Sequence, residues 1–153
     1  YNGAHPADLR WAREQVDDGL DDRLDDLGEF DLAAYASVSV AEDGEAAREA
    51  ARPPVAFIAA GSPPPVLQRH GIAADRADDI GDHLGAGDFT EAFDLVTPAM
   101  IDAFCATGTV DEVADRLSAV LDHADSVVVG SPLGPDLDTA VDLAATAHDR
   151  ATE

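Results

Sequence analysis

The sequence predicts an α/β fold in which helices predominate. Two segments, residues 30–40 and 126–129, are rich in β-branched and aromatic residues and are the strand candidates. Most of the remaining chain has the apolar spacing of amphipathic helices, and its carboxyl-terminal order of helix, strand, loop and helix is that of an α/β unit. Two strands cannot form a doubly wound sheet, and a closed eight-stranded α/β barrel needs about 250 residues. The chain is therefore either an unusual, mostly helical domain or part of a barrel whose other strands lie upstream.

Helix boundaries are predicted from apolar periodicity and from the positions of proline and glycine. The first helix is amphipathic, carries acidic residues on its outer face and should end near Gly28. Pro53 and Pro54 should stop one helix and begin the next, because proline lacks the backbone N–H that a helix interior requires. The predicted helices cover residues 6–24, 43–51, 53–60, 63–70, 73–84, 88–93, 98–104, 110–123 and 135–148.

Charge is the strongest compositional signal. The chain has 32 Asp and Glu against nine Arg and no Lys, which gives a formal net charge of −23. Such a surface repels a polyphosphate backbone, so nucleic-acid binding is excluded. Because 46% of the residues are apolar and the acids are spread among them, we expect a folded protein rather than a disordered one. The even spacing favours adaptation to a salt-rich, halophilic cytoplasm over an acidic recognition surface, since molar salt screens the repulsion.

Several observations bear on the cellular compartment and on the extent of the chain. Cys105 is the single cysteine, so no internal disulfide can form, and a small buried residue is expected there. No apolar stretch approaches the length of a membrane span and no secretory signal is visible, which predicts a cytoplasmic protein without membrane partners. The first residue is Tyr1 and the only methionine is Met100. We therefore expect the natural start to lie upstream of this segment.

Three segments together resemble the carboxyl-terminal part of the deazaflavin-dependent methylenetetrahydromethanopterin reductases, which belong to the bacterial-luciferase-like TIM-barrel superfamily. They are "AFIAAGSPPPVLQRHGI" at 56–72, "VTPAMIDAFCATGTVDEVADRLSAVL" at 96–121 and "VVVGSPLGPD" at 127–136. The resemblance implies that residues 1–153 are the carboxyl-terminal part of one (β/α)8 barrel domain, with 30–40 as the seventh strand and 126–129 as the eighth. Residues 42–108 would be the helical insertion after the seventh strand. The strands before the seventh would be missing from this chain.

The resemblance also implies a reaction. In this family, hydride passes between reduced coenzyme F420 and the methylene carbon of a tetrahydropterin, either methylenetetrahydromethanopterin or methylenetetrahydrofolate. Most of the loops that form such a site are absent here, so we expect no catalytic acid or base in this chain. The full-length protein is expected to form a homo-oligomer. Two alternatives stay open: an FMN-dependent luciferase-like monooxygenase, and a non-catalytic, acidic, helical interaction module.

Five residues are predicted to contact ligands if the resemblance holds. Ser131, Gly134 and Asn2 are assigned to the cofactor, because the first two follow the last strand and precede a helix start, and Asn2 would lie at the barrel mouth. Ser62 and His70 are assigned to the substrate. Three of the five residues also have a purely structural interpretation. Asn2 could form a turn, Ser62 could connect two helices, and His70 could end a helix. Acidic residues on the first turn of the last helix argue against a phosphate at Gly134.

Metal binding is not expected. His5, His83, His123 and His148 have no spacing typical of a metal site, and the paired aspartates of the first helix lack the pattern of a calcium-binding EF-hand loop. The sequence therefore predicts an enzyme fragment with small-molecule ligands, no metal and no nucleic acid.

Overall fold

A computed structural model describes residues 1–24 and 27–153. Helices and strands alternate only at the two ends of the chain, and the middle is helical, as the periodicity predicts. The elements, in chain order, are α1 (Pro6–Leu20), β1 (Ala33–Val40), α2 (Gly44–Gly61), α3 (Pro64–Arg69), α4 (Ala74–Ala86), α5 (Phe89–Asp94), α6 (Pro98–Phe104), β2 (Ala106–Gly108), α7 (Val110–Leu121), β3 (Ser126–Leu133) and α8 (Leu137–Thr152).

The three strands form one parallel sheet in the order β2–β1–β3. Val38 pairs with Ala106 on one edge of β1, and Ala34 pairs with Val127 on the other. The first residues of the chain also join β1: Gly3 N–H donates to the Tyr35 carbonyl at 3.0 Å, and Tyr35 N–H donates to the Tyr1 carbonyl at 2.7 Å. At Tyr35, one edge of β1 pairs with β3. Residues 1–3 therefore lie along the opposite edge of β1, which is the edge that also pairs with β2.

The two faces of the sheet differ in what covers them. Alternate residues of β1 on one face, Ala36, Val38 and Val40, are fully buried in a core that includes α7 and α8. This burial follows from the two-residue alternation of a strand and from the apolar face of α7. On the opposite face, Tyr35 and Val128 remain 43% and 50% exposed. The sheet is therefore covered along one face, whereas the other face is open at Tyr35 and Val128 but buried at Ser39, next to α2.

Helices α2 to α6 form a layer with a core of its own. Val55, Ile80, Met100 and Ile101 are at its centre, each at most 2% exposed. All members of this core lie between Ala51 and Cys105, so the segment between β1 and β2 packs largely on itself. Cys105 is 1% exposed, as predicted for a small buried residue.

The prediction that Pro53 and Pro54 end a helix is wrong. Both prolines lie inside α2, which continues to Gly61. The four residues Ala47, Ala51, Val55 and Ala59 recur every fourth position and are all fully buried, on both sides of the prolines. The burial of this continuous stripe outweighs the loss of the proline backbone hydrogen bonds.

Four other elements also differ from the prediction. Helix α1 ends at Leu20 rather than near Gly28, and Arg23 then donates to the carbonyl of Gly28 at 2.6 Å. Strand β2 was not predicted, since three residues are too few for an alternating pattern to be visible. Strand β3 runs to Leu133, and Gly130 and Leu133, which were predicted to lie in a loop, pair with β1 on either side of a register irregularity. Helix α8 accordingly begins at Leu137 and ends at Thr152.

Candidate functional site

A cleft of about 600 Å³ lies where the sheet meets the helical layer. Its walls come from residues 1–3, from α1, from the carboxyl end of α2 with the turn after it, and from α6. A volume of this size is typical of pockets that bind small molecules or cofactors. The lining residues are Tyr1, Asn2, Gly3, Asp8, Trp11, Ser37, Phe57, Ile58, Gly61, Ser62, Pro63, Val66, Ala103 and Phe104.

Aromatic side chains dominate the walls of the cleft. Tyr1, Trp11 and Phe57 are 39%, 44% and 54% exposed, which is unusual for such large apolar groups. The Arg69 guanidinium stacks on the Trp11 indole, with its central carbon 5.0 Å from the ring centroid. Phe104 is 7% exposed and forms part of the inner wall. These surfaces can pack against a flat, fused ring system.

Three neutral polar residues interrupt the apolar lining. Asn2 is exposed, and its backbone is held in register with Tyr35. Ser62 follows α2 directly, and its hydroxyl donates to the Ile58 carbonyl at 2.7 Å, which leaves the oxygen lone pairs free to accept. Ser37 lies on β1, the central strand of the sheet, and is 9% exposed. The cleft thus offers a few placed donors and acceptors within an apolar surface.

A buried carboxylate lies at the base of the cleft. The side chain of Asp8 is 5% exposed, and its two oxygens have different partners. Oδ1 accepts from the Arg69 guanidinium, and Oδ2 accepts from Nε2 of His70 at 2.8 Å. Both partners stand at the end of α3, so Asp8 connects α1 to the helical layer. Each carboxylate oxygen therefore already accepts a hydrogen bond within the protein, which compensates the buried charge.

The surroundings of this carboxylate shift the pKa of two neighbours. Burial, followed by the Asp8 charge, raises the pKa of the Tyr1 phenol, while Arg69 acts in the opposite direction. The phenol therefore stays protonated at neutral pH and can donate a hydrogen bond. Burial lowers the pKa of His5, and the charge of Arg116 and the ring of His70 lower it further. Nδ1 of His5 accepts from the Ala7 N–H at 3.1 Å and caps α1.

The structure brings together two of the five predicted ligand contacts. Asn2 and Ser62 line the same cleft. His70 ends α3, in keeping with its structural alternative, and lies beneath the cleft with its Nε2 engaged by Asp8. Ser131 and Gly134 are not among the residues that line the cleft.

Gly134 has a packing reason to be glycine. A Cβ at this position would lie 2.4 Å from the Val40 carbonyl oxygen and 2.8 Å from the Ala140 methyl group. The approach of this segment to β1 therefore requires the absence of a side chain, without any ligand. Ser131 is exposed within β3, between Gly130 and Leu133, which pair with Ser37 and Ser39 of β1.

Four residues of the site escaped the sequence analysis: Asp8, Trp11, Ser37 and Arg69. Asp8 carries a usable signal, because it precedes Leu9 in the first turn and so lies beside the apolar stripe of α1 rather than opposite it. Ser37 also carries one, since Ser37 and Ser39 alternate with buried apolar residues along β1. Nothing in the sequence marks the pairing of Arg69 with a carboxylate 61 positions away.

The described part of the chain contains neither a cluster of metal ligands nor a helix that could span a membrane. Within residues 1–24 and 27–153, no three His, Cys, Asp or Glu side chains are grouped as a metal ion would require. Among the helices of that same part of the chain, none is both long and apolar enough to cross a membrane. Burial raises the pKa of the Cys105 thiol to about 12, so this cysteine is not a reactive nucleophile.

The sequence of this chain is similar to those of several known proteins. The family model of the luciferase-like monooxygenases matches residues 1–124. The 5,10-methylenetetrahydromethanopterin reductase of Methanopyrus kandleri is 41% identical over 143 residues, which are 93% of this chain and 41% of that protein. The reductases of the same name from Archaeoglobus fulgidus and Methanolobus tindarius are 42% and 41% identical, and each alignment covers 93% of this chain and 44% of the relative.

The fold has a counterpart among solved structures. The coenzyme F420 dependent tetrahydromethanopterin reductase from Methanopyrus kandleri superposes with a TM-score of 0.86 at 40% sequence identity, over 93% of this chain and 41% of that one. The predicted resemblance and the predicted α/β barrel class are thereby confirmed. The chain spans less than half the length of the relatives it matches.

Proposed function

Because the chain belongs to the luciferase-like monooxygenase family, we propose that it is part of a coenzyme F420-dependent methylenetetrahydropterin reductase. The observation that carries the proposal is the identity of 41–42% to three reductases of that name across 93% of the chain. The matched structure, which is described as F420-dependent, supports the cofactor. Reduced coenzyme F420, when bound, supplies the hydride, and the protein positions the reactants and excludes water.

The residues of the cleft are compatible with the ring systems of such a reaction. Trp11 and Phe57 offer exposed aromatic surface for stacking, and Asn2 and Ser62 offer hydrogen bonds to a ring edge. We assign Asn2 and Ser62 to ligand binding at this one cleft. His70, with its Nε2 held by Asp8, supports the base of the cleft from below. Ser131 and Gly134 stay predicted contacts for the cofactor, at the carboxyl end of β3.

The site is not suited to a phosphate group. Asp8 contributes a carboxylate to the lining, and the nearby cation, Arg69, is already paired with it. Among the described residues that line the cleft, none has a cationic side chain that could pair with a phosphate. We therefore assign the cleft to the uncharged ring system of a ligand rather than to a charged, phosphate-containing part of it.

The place of this chain in the whole protein is part of the proposal. We take residues 1–153 as the carboxyl-terminal part of one barrel domain and residues 42–108 as its helical insertion. The open face of the sheet at Tyr35 and Val128 would then be covered by strands from the remainder of the barrel. The whole protein would form a homo-oligomer in a salt-rich cytoplasm, in keeping with the net charge of −23.

One alternative has an observation in its favour. The family model takes its name from monooxygenases, which keeps an FMN-dependent enzyme as the second candidate. The two functions differ in their cofactor. Fluorescence titration of the full-length gene product in molar KCl, with coenzyme F420 and with FMN in parallel, separates them. Saturable binding of coenzyme F420 alone supports the reductase. Binding of FMN alone would favour the monooxygenase, and binding of neither would return the chain to the non-catalytic alternative.

A further inference from the structure

We propose that the hydroxyl group of Ser37 is a direct hydrogen-bonding contact for the ring edge of a ligand in the cleft. This inference rests on the proposed function and extends it, since it names a binding residue and the part of the ligand that the residue contacts. Nothing in the comparisons assigns a role to Ser37, and the sequence analysis did not single it out.

Ser37 is a mostly buried residue whose hydroxyl group has no hydrogen-bond partner in the described part of the chain. Ser37 is 9% exposed. Within the described part of the chain, its Oγ takes part in no hydrogen bond, whereas no fully enclosed side-chain nitrogen or oxygen lacks one. The Ser37 oxygen must therefore keep access to open space. Since Ser37 lines the cleft, the cleft is that space.

Ser39, the next serine on the same face of β1, differs from Ser37 in the role of its hydroxyl group. Ser39 is fully buried, and its hydroxyl donates to the Ala47 carbonyl at 2.7 Å. The polar side chain of Ser39 thus has a structural role that ties β1 to α2. Ser37 has no such role, although it lies only two positions away. A hydroxyl that is mostly buried without a partner destabilises the fold unless a ligand or water satisfies it.

The surroundings of Ser37 define the chemistry of the ligand. A serine hydroxyl can both donate and accept, which matches a ring edge that alternates carbonyl and N–H groups. The aromatic walls match the faces of the same ring. Both the deazaflavin and the pterin carry a pyrimidine-type edge of this kind. The shared chemistry is therefore a fused heteroaromatic ring with a carbonyl and N–H edge, and the experiment must separate its two sources.

The test compares Ser37→Ala with the matched control Ser39→Ala in the full-length protein in molar KCl. Equilibrium titrations use oxidised coenzyme F420 in one arm and tetrahydromethanopterin in the other, and thermal unfolding is measured without ligand. Ser37→Ala should weaken the binding of one ligand by about tenfold, the typical effect of one lost hydrogen bond, and should leave Tm unchanged or slightly raised. Ser39→Ala should lower Tm, because it removes an internal hydrogen bond, and should bind both ligands like the wild type.

A second variant guards against misfolding of the first. Ser37→Cys keeps nearly the same volume but is a poor hydrogen-bonding group, so it should weaken the same ligand as Ser37→Ala does. Wild-type affinity for both ligands in both Ser37 variants would overturn the inference and leave the proposed function intact. A wild-type protein that binds neither ligand would overturn the proposed function, and the inference with it. The ligand whose binding is weakened by the Ser37 substitutions, deazaflavin or pterin, is the one that occupies the cleft.

Discussion

The helical layer and the sheet differ in how completely each covers its apolar residues. Helices α2 to α6 surround a core whose members all lie within the segment between β1 and β2. The sheet buries the face that α7 and α8 cover, while on the other face Tyr35 and Val128 remain about half exposed and burial is confined to the end of β1 next to α2. One region therefore satisfies its own packing, and the other presents a surface that requires a further layer.

This difference explains where the cleft lies. Ser37 reaches it from the sheet, and Phe57, Ile58 and Ser62 reach it from the helical layer. The helical layer has a packed core of its own and places these side chains next to β1, the central strand. The buried Asp8, on a helix that packs beside the sheet, bonds to the end of α3 and holds the two regions together.

The largest effect should come from the core of the helical layer. Ile80 is fully buried, so Ile80→Ala should lower the free energy of unfolding by roughly 4 kcal/mol through lost burial and cavity formation. The matched change on the open face, Val128→Ala, should cost less than about 0.5 kcal/mol in the 153-residue chain, since Val128 is 50% exposed. Denaturant unfolding in molar KCl measures both. Equal losses would show that the two regions are not packed differently.

The connection between the two regions should give the next effect. Asp8→Ala leaves Arg69 and His70 without their shared carboxylate, and we expect a loss of about 3 kcal/mol, which is reduced from that of a fully buried pair because Arg69 is partly exposed. Asp17→Ala is the control on the same helix. Its contact with Arg13 is 4.0 Å long and exposed, so the loss should be below about 0.5 kcal/mol. If both variants unfold at the same denaturant concentration, Asp8 does not join the two regions.

Helix caps should cost the same in both regions, because capping is local. Thr109 caps α7 in a reciprocal arrangement with Glu112, and the Asp43 side chain caps α2 by accepting from the Glu45 N–H at 3.0 Å. Thr109→Ala and Asp43→Ala should each lower the free energy of unfolding by about 1 kcal/mol. Thermal unfolding of the two variants side by side tests this. A much larger loss for Thr109→Ala would mean that the open sheet makes its neighbouring helix more vulnerable.

The smallest effect should appear in the pH dependence of stability. Burial holds the pKa of His5 below its ordinary value of 6.5, so the unfolded chain binds a proton there before the folded protein does as the pH falls. Stability should be greatest above that value and should decline as pH falls from 6.5 toward the lower folded pKa. His5→Asn keeps a capping oxygen but does not titrate, so its stability should decline less over this range.

Denaturant midpoints at a series of pH values measure the difference between wild type and His5→Asn. His123→Asn, a matched substitution just after α7, is the control. If wild type and His5→Asn lose stability in parallel while pH falls, His5 does not contribute to the decline.

Elements with clear apolar spacing were predictable from the sequence. Helix α7 was predicted at 110–123 and spans Val110–Leu121, and β1 was predicted at 30–40 and spans Ala33–Val40. The continuation of α2 through Pro53 and Pro54 was not predictable from local rules, since it depends on burial against residues far along the chain. The same holds for the extension of β3 beyond Val129, which requires Gly130 to lie under the Tyr35 ring.

The candidate site was predictable only in part. Asn2 and Ser62 were selected from turn and helix-boundary patterns, and both line the cleft. The link between Asp8 and His70 could not be foreseen, because it joins two helices 62 positions apart. Ser37 could have been noticed as a polar residue in an apolar strand, but only the structure distinguishes its free hydroxyl from that of Ser39.

The most direct test of the proposed reaction follows the transferred hydrogen. The full-length protein is incubated in molar KCl with methylenetetrahydromethanopterin and with reduced coenzyme F420 that carries deuterium at its transferable position, and the pterin product is analysed by mass spectrometry. The account predicts a methyl product with one deuterium per molecule. Absence of a methyl product, or a methyl product without deuterium, would contradict the assignment of this chain to a deazaflavin-dependent pterin reductase.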